Sequence, residues 1–336
     1  MGIMHQPTMK DIARICNVSI KTVSRVINDS NKVKDETRQL VLQTIQEQGY
    51  QANLMARGLK NKKTNTVIVF IDKHKDKYWG RWHTRILSFL FREAKQRKLK
   101  IVISPSSAQG HLDDETDGFH LLASKMADGA IILDNAETDI RLKFLAKSRI
   151  PYVLVGQTND PSANWVDLDN FNTGKVGCEY LINKGYRNIG FMVGQEQYHV
   201  NQLRAHGFEE AAKKHGIKYD IRFNVDSMES VYDTTLELCK NKEYDALYIS
   251  GSERALGAYR AINELGYIIP RDIAVLGIDN IEMCKYLYPS MSVLDQSCDV
   301  FAREIIDILY NMINKVEYKK GKHLIIENKI IEREST

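Results

Sequence analysis

From Thr66 onward the chain alternates between short apolar runs rich in β-branched residues and longer helix-forming stretches, and this alternation narrows the fold more than any other feature. The runs are TVIVFI (66–71), KIVIS (100–104), GAIIL (129–133), PYVLVG (151–156), NIGFMVG (188–194), DALYIS (245–250) and DIAVLGI (272–278). Residues 81–98, 115–126 and 138–147 read as helices between the early runs. A strand that is apolar at every position, not at every second one, is buried on both faces, so the sheet is parallel and covered by helices. Seven or more such strands over some 270 residues exceed one comfortable sheet. The reading is α/β: two doubly wound parallel-sheet lobes with a ligand cleft between them.

The first 65 residues have a different pattern: three short helices and no strand. Thr8 can cap a helix from Met9, with Asp11 three residues on as in a capping box. CNVS breaks that helix, and Ser19 can cap a second. Asp35 and Glu36 suit the positive end of a third, which runs through Leu40, Val41 and Ile45 to Gly49. QANLMARGLKNKKTN then reads as a linker with at most two helical turns, too short to be stable alone in water. The expected domains are 1–52, a helix-turn-helix head; 53–65, a hinge helix and linker; and 66–336, a two-lobed body.

Net charge is only +4, but residues 1–64 hold eleven Lys/Arg against five Asp/Glu, so the rest of the chain is slightly acidic. A basic head on a near-neutral body points to a polyanionic partner. Helix, CNVS turn, helix is the layout of a helix-turn-helix, whose second helix enters the DNA major groove. In VSIKTVSRVIN (18–28), Ile20, Lys21 and Arg25 would face bases, and Arg25 can fork onto a guanine. Ser19, Thr22, Ser24 and Asn28 suit phosphates, which set register. Ala13, Val18, Val23, Val26 and Ile27 would hold the helices together. From the helix pattern alone, a plain three-helix packing domain with solvated lysines is as good an account.

Five cysteines, Cys16, Cys178, Cys239, Cys284 and Cys298, are scattered without a Cys-x-x-Cys and read as reduced core residues of a cytoplasmic protein. MGIMHQPTM has no apolar signal core, and no run approaches the ~20 apolar residues of a membrane helix.

The wording MKDIARICNVSIKTVSRVIN resembles the DNA-binding head of the lactose-repressor/galactose-repressor (LacI–GalR) family, and the resemblance extends through nearly the whole chain. It implies a transcriptional regulator, most often a repressor of carbohydrate-metabolism genes. Such a regulator binds a pseudo-palindromic operator as a homodimer and responds to a small sugar-like effector. VKDETRQLVLQTIQEQGYQANLMARGL matches the family's third helix and hinge. The resemblance then puts Leu59 in the place of the minor-groove wedge, with Ala56 beside it and Asn53 on the same DNA-facing segment. Two departures show here: Ala52 stands where the family commonly has Pro, and Lys34 where it commonly has a capping Ser. Lys34 cannot cap but can reach a phosphate.

The body resembles the family's effector domain, similar to periplasmic sugar-binding proteins, best in VDLDNFNTGKVGCEYLINKGYRNIGFMVG and PRDIAVLGIDNIEM. By this resemblance Arg204 clamps ligand hydroxyls and Asp279 accepts from the same ligand. Gly251 and Ser252 replace the family's usual polar pair, and Ser252 is kept as an effector residue. The first lobe-edge loop, DKHKDKYWGRWH, departs most. There Trp79 or Trp82 could stack on a sugar, and Lys73, Lys75, Lys77 and Arg81 favour an anionic ligand. A phosphorylated sugar or sugar acid and a neutral saccharide both stay open.

An activator would share every one of these features. A solute-binding protein would need a signal sequence and no basic head. An enzyme on this fold would need chemistry, and no Gly-x-Gly-x-x-Gly, Walker loop, Gly-x-Ser-x-Gly or metal-ligand cluster appears, so no cofactor is expected. After a last helix pattern at about 299–314, HLIIENKIIEREST looks like a strand pair and polar tail. It lacks the apolar heptads of a tetramerising coiled coil, so a dimer is expected.

Overall fold

The structure, a computed structural model, describes residues 7–27, 31–50, 63–71, 81–106, 117–133, 139–240, 243–316 and 321–336. The chain divides into two compact units, Met1–Thr64 and Asn65–Thr336.

In the first unit, α1 (Met9–Ile15), α2 (Ile20–Ile27) and α3 (Asp35–Glu47) form the head. Asp11 N–H donates to Thr8 Oγ1 at 3.3 Å and Thr8 N–H to Asp11 Oδ2 at 2.9 Å, the reciprocal capping box expected. Asn17 turns the chain at φ 51°, a left-handed conformation that asparagine tolerates. Ser19 then caps α2, its Oγ accepting from Thr22 N–H at 3.1 Å. Lys34 precedes α3 without a side-chain cap bond, so the first turn relies on Asp35 and Glu36. Ile12, Ala13, Cys16, Val23, Val26 and Val41 make the small core, with Val18 and Ile27 packed against it.

The second unit contains two six-stranded sheets. The first is built from β1 (Thr66–Ile71), β2 (Lys100–Pro105), β3 (Gly129–Ile132), β4 (Tyr152–Val155), β5 (Trp165–Leu168) and β11 (His323–Ile326). Its order is β11-β5-β4-β3-β1-β2, parallel throughout. The second comprises β6 (Asn188–Met192), β7 (Lys218–Arg222), β8 (Ala246–Ile249), β9 (Ala274–Ile278), β10 (Ser292–Asp295) and β12 (Lys329–Ile331). Its order is β12-β10-β9-β8-β6-β7, with only the edge strand β12 antiparallel. Helices α4 (Arg81–Gln96), α5 (Phe119–Ala123), α6 (Ile140–Ser148) and α11 (Cys298–Ile313) pack in the first lobe. Helices α7 (Asn170–Asn183), α8 (His199–His215), α9 (Met228–Cys239) and α10 (Ala255–Glu264) cover the second.

The lobes are therefore not two successive segments. The chain crosses between them after β5, after β10 and after β11. Two crossings are bonded together: Asp169 N–H donates to Ile326 O at 3.2 Å, and Asn328 Nδ2 to Asp169 O at 3.2 Å and to Thr173 Oγ1. Here the C-terminal expectation is corrected. The two tail strands do not pair with each other: β11 extends the first sheet beside β5, and β12 closes the second beside β10. Strands β5, β7 and β10 were not among the apolar runs, because WVDL, KYDIR and SVLD each carry a charge. The helix expected over 115–126 is only one and a half turns long, Phe119–Ala123. All five cysteines are free and buried. Among the described residues no helix is long and apolar enough to cross a membrane.

Candidate functional site

The head presents one face of α2. Val23 and Val26 point into the core, at 0% and 3% exposure. Residues spaced to the other side remain reachable: Ser19, Ile20 and Lys21 are exposed, and Thr22, Ser24 and Arg25 are half-buried. Lys21 and Arg25 are four residues apart and so share a face. Neither makes an ion pair among the described residues. The Ser19 and Thr22 hydroxyls lie 2.9 Å apart and belong to the helix cap as well as to the surface. Ile20 is 49% exposed at the helix start, an apolar side chain with no core to join. Lys34 stands exposed before α3. Asn28 and the hinge positions Asn53, Ala56 and Leu59 lie outside the described residues.

The body gathers its polar side chains at the C-terminal ends of the second lobe's strands, where a doubly wound sheet binds ligands. Arg204, on α8, donates from Nε to Asn170 Oδ1 and from Nη1 to Ser250 Oγ, both at 3.0 Å. Asn170 opens α7 and in turn donates to Asp167 Oδ1 and Leu168 O, each at 3.2 Å. A hydrogen-bonded chain thus runs from the end of β5 through Arg204 to the end of β8. Arg204 is placed by close helix packing: a Cβ on Gly174 would lie 1.8 Å from the Arg204 carbonyl oxygen, and one on Gly207 would lie 1.9 Å from the Phe171 oxygen. Only glycine at both crossing points lets α7 and α8 approach this closely.

Asp279 follows β9 at φ 84°, an uncommon conformation for a residue with a side chain. The turn is fixed by its N–H donating to Leu294 O at 2.9 Å and by its carbonyl accepting from Ser252 Oγ at 2.5 Å. Its Oδ1 is buried with no hydrogen-bond partner among the described residues. Burial pushes the Asp279 carboxyl above the usual carboxylate range, and the guanidiniums of Arg204, Arg85 and Arg254 pull the other way. Asp167 is raised for the same reason, burial, against hydrogen bonds from Leu168 and Gln157. Across the lobes, Arg85 on α4 donates from Nη2 to Asp295 Oδ1 at 3.1 Å, while its Nη1 is buried without a partner among the described residues. A native interior rarely leaves such groups unsatisfied, and the Arg85 charge acts on the Asp279 carboxyl, so this orphaned donor and acceptor together indicate a place for a polar ligand.

The other expected effector residues have different surroundings. Ser252 is 1% exposed, and its hydroxyl is committed to Ile278 O at 2.7 Å and to Asp279 O. It holds the Asp279 turn. Arg81 is on the surface, 63% exposed, paired with Glu253 at 3.1 Å. Trp82 packs into the first lobe, its ring 6.4 Å from that of Phe301. Trp79, Lys73, Lys75 and Lys77 lie outside the described residues. Sequence reasoning overlooked Asn170, Ser250, Arg85 and Arg254. Arg254 stood two residues past the missing polar pair, and that adjacency was the available signal. Among the described residues no group of His, Cys, Asp and Glu could hold a metal ion.

Comparison with known proteins agrees with both halves. Residues 8–53 match the profile of bacterial regulatory proteins, lacI family, and residues 178–336 that of a periplasmic binding protein-like domain. The HTH-type transcriptional regulator CelR of Thermobifida fusca is 27% identical over 98% of each chain. Catabolite control protein A of Priestia megaterium is 28% identical over 92% of this chain and 93% of its own. The HTH-type transcriptional repressor PurR of Histophilus somni is also 28% identical, over 95% of each. The fold is that of the Lac repressor dimer bound to operator and the anti-inducer ONPF, with TM-score 0.86, 23% identity and 99% of each chain covered. A CelR–cellobiose complex superposes with TM-score 0.71 at 26% identity, covering 98% of this chain and all of that one. A helix-turn-helix head with a two-lobed binding-protein body defines a bacterial DNA-binding transcriptional regulator, not an enzyme. Its head carries the lacI-family domain, and the chain resembles LacI-family regulators along nearly its whole length.

Proposed function

We propose that this regulator is a repressor that binds a pseudo-palindromic operator as a homodimer and is controlled by a sugar or sugar derivative bound in the cleft of its body. Its place of action is the cytoplasm and its targets are carbohydrate-metabolism genes. The domain division goes with this: residues 1–52 read DNA, 53–65 form the hinge and 66–336 bind effector and dimerise. On the DNA side, Ile20, Lys21 and Arg25 meet base edges, and Ser19, Thr22, Ser24, Asn28 and Lys34 meet phosphates. Asn53, Ala56 and Leu59 enter the minor groove.

The observation that carries the effector reading is Asp279. A buried carboxylate oxygen without a partner among the described residues, beside the desolvated Arg204 guanidinium, is costly and becomes satisfied when a polyhydroxylated ligand donates to it. The relatives support the ligand class, since one neighbour is the CelR–cellobiose complex. The ligand acts by binding one lobe arrangement better than another, and it shifts operator affinity only by that difference. The test is to select operator sites from random DNA, then titrate the selected duplex with protein in the presence of each member of a sugar panel. A dyad-symmetric site whose affinity changes at least tenfold with one sugar is expected. Selection of no consensus, or a consensus indifferent to every ligand that binds the protein, would overturn the reading.

A further inference from the structure

We infer that Arg254 makes the cleft selective for an effector carrying an anionic group, a carboxylate or a phosphate, held jointly by Arg204 and Arg254. This rests on the cleft being the effector site.

The two guanidiniums meet at one residue. Arg204 Nη1 donates to Ser250 Oγ at 3.0 Å, and Arg254 Nη1 donates to the Ser250 carbonyl, also at 3.0 Å. Arg254 reaches a second carbonyl, Val225 O, at 3.5 Å. Neither arginine forms an ion pair among the described residues. The Arg254 Nε and Nη2 and the Arg204 Nη2 have no protein acceptor there. A guanidinium offers five N–H donors, so most of Arg254's capacity is unspent.

The slot that holds Arg254 is made by two glycines. A Cβ on Gly251 would lie 3.3 Å from Arg254 Nε and 3.5 Å from Cζ, and one on Gly194 would lie 3.3 Å from Nη1. Gly251, at φ 113°, is one of the two positions where the family's usual polar pair is missing. The loss of side chains there is therefore not a loss of polarity. A cation from the start of the following helix, α10, lies over the bare backbone instead.

Burial pushes both guanidiniums below the ordinary arginine range, and the nearby Arg204 charge lowers Arg254 further. Asp226 and Asp279 offset part of this, but Asp226 is bonded to Gln195 Nε2 at 2.7 Å. Two neighbouring, desolvated cations hung on carbonyl and hydroxyl oxygens remain costly until an anion arrives. An incoming carboxylate or phosphate accepts the unspent donors in charge-assisted, forked bonds. Asp279 Oδ1, the orphaned acceptor beside them, then takes a hydroxyl of the same ligand. The cleft thus has a cationic end and a hydroxyl-accepting end, which suits an acidic sugar.

The test uses the full chain. Inorganic phosphate at millimolar concentration should raise the wild-type melting temperature and leave Arg254→Met unmoved, with free-state melting compared first to confirm that the variant folds. Calorimetry then compares matched ligands: glucose with glucose 6-phosphate and glucuronate, and cellobiose with cellobionate. The acidic member of a pair should bind at least tenfold tighter than its neutral partner. Arg254→Met should erase that gap, and Arg254→Lys should keep part of it. No phosphate shift, equal binding of neutral and acidic partners, or a preference surviving in Arg254→Met would each overturn the proposal. If a neutral sugar binds and alters operator affinity, only the anion selectivity falls. If an acid binds through Arg254 but leaves operator affinity unchanged, the regulatory reading falls and the site stands.

Discussion

The molecule keeps cations in two settings, and the contrast shows how one chain handles two kinds of polar ligand. On the head, Lys21 and Lys34 are exposed and Arg25 half-buried, on short helices with a small core. In the cleft, Arg204, Arg254 and Arg85 are held by named acceptors at about 3 Å within a large, close-packed framework. Exposed cations cost little to maintain and act through many additive, salt-screened phosphate contacts. Desolvated cations must be positioned by their surroundings, and their worth depends on geometry. Changes to packing should therefore damage the cleft and spare the head, whereas changes to surface charge should weaken DNA binding and spare the cleft.

The largest expected effect tests the packing half of that contrast. Gly174→Ala puts a methyl 1.8 Å from the Arg204 carbonyl, so α7 and α8 must separate. Forced overpacking of this kind costs about 3 kcal/mol. The body's melting temperature should fall and effector binding should be lost with it, because Arg204 rides on the displaced helix. Operator half-site contacts of a separately expressed head should be untouched. Unchanged melting of the body would show that the cleft does not depend on this crossing.

Next in size is Arg25→Ala. It removes no core contact, so stability should stay within about 0.5 kcal/mol. Removing a forked base contact should cost about 1–3 kcal/mol on the selected operator and relax preference at one base pair in each half-site. Selection from random DNA reads both. An unchanged consensus would remove Arg25 from the base-reading set.

These two substitutions also differ in how readable they were beforehand. The helix face that carries Arg25 was legible because a helix-turn-helix is local: caps, turn and helix face all lie within twenty residues, and Thr8, Asn17 and Ser19 serve as the pattern requires. The parallel lobes were legible from β1, β3, β4, β6, β8 and β9, whose burial on both faces leaves them uniformly apolar. Of the edge strands, half-exposed β7 gave no such signal, since KYDIR carries three charged residues. Nor could periodicity show that the tail strands part to opposite lobes, because partner choice is a long-range matter. Arg204 and Asp279 were singled out through resemblance, but Arg254 required coordinates. Its role comes from two glycines, Gly194 and Gly251, brought together from different strand ends. The partner of Arg81 was hidden by the same limitation: a cation's neighbours in sequence do not reveal that Glu253 lies across from it.

A third prediction sharpens the claim that the cleft is strained for binding. The folded-state pKa of Asp279 is raised by burial, so ionised Asp279 destabilises the empty protein. That penalty is fully present above the raised pKa and is relieved as pH falls through it toward the unfolded carboxyl value of about 3.9. Asp279→Asn keeps a residue type tolerant of positive φ and removes the charge. It should be more stable than wild type at neutral pH, with the advantage shrinking as pH is lowered, and it should bind effector poorly. Urea unfolding from pH 8 to pH 4 measures the gap. A gap that widened with falling pH would reverse the sign and refute the account.

The smallest effect belongs to Lys34, and it tests the charge half of the contrast most directly. Lys34 stands where a capping side chain would normally be, yet makes no cap bond. Replacing it with alanine therefore removes a charge without removing a structural hydrogen bond, and head stability should hardly move. If its ammonium neutralises one phosphate, the substituted head releases one fewer counterion on binding. The slope of log K against log salt should then flatten by about 0.9 for each phosphate that Lys34 no longer neutralises. Affinity should fall equally on the selected operator and on random duplex, because a phosphate contact carries no sequence information. Lys34→Ser separates the two roles, since serine can supply the missing cap while lacking the charge. It should raise head stability by up to about 1 kcal/mol and still show the flattened slope. A serine variant with wild-type salt dependence would show that Lys34 does not touch the backbone, and would leave the head's phosphate contacts to Ser19, Thr22, Ser24 and Asn28.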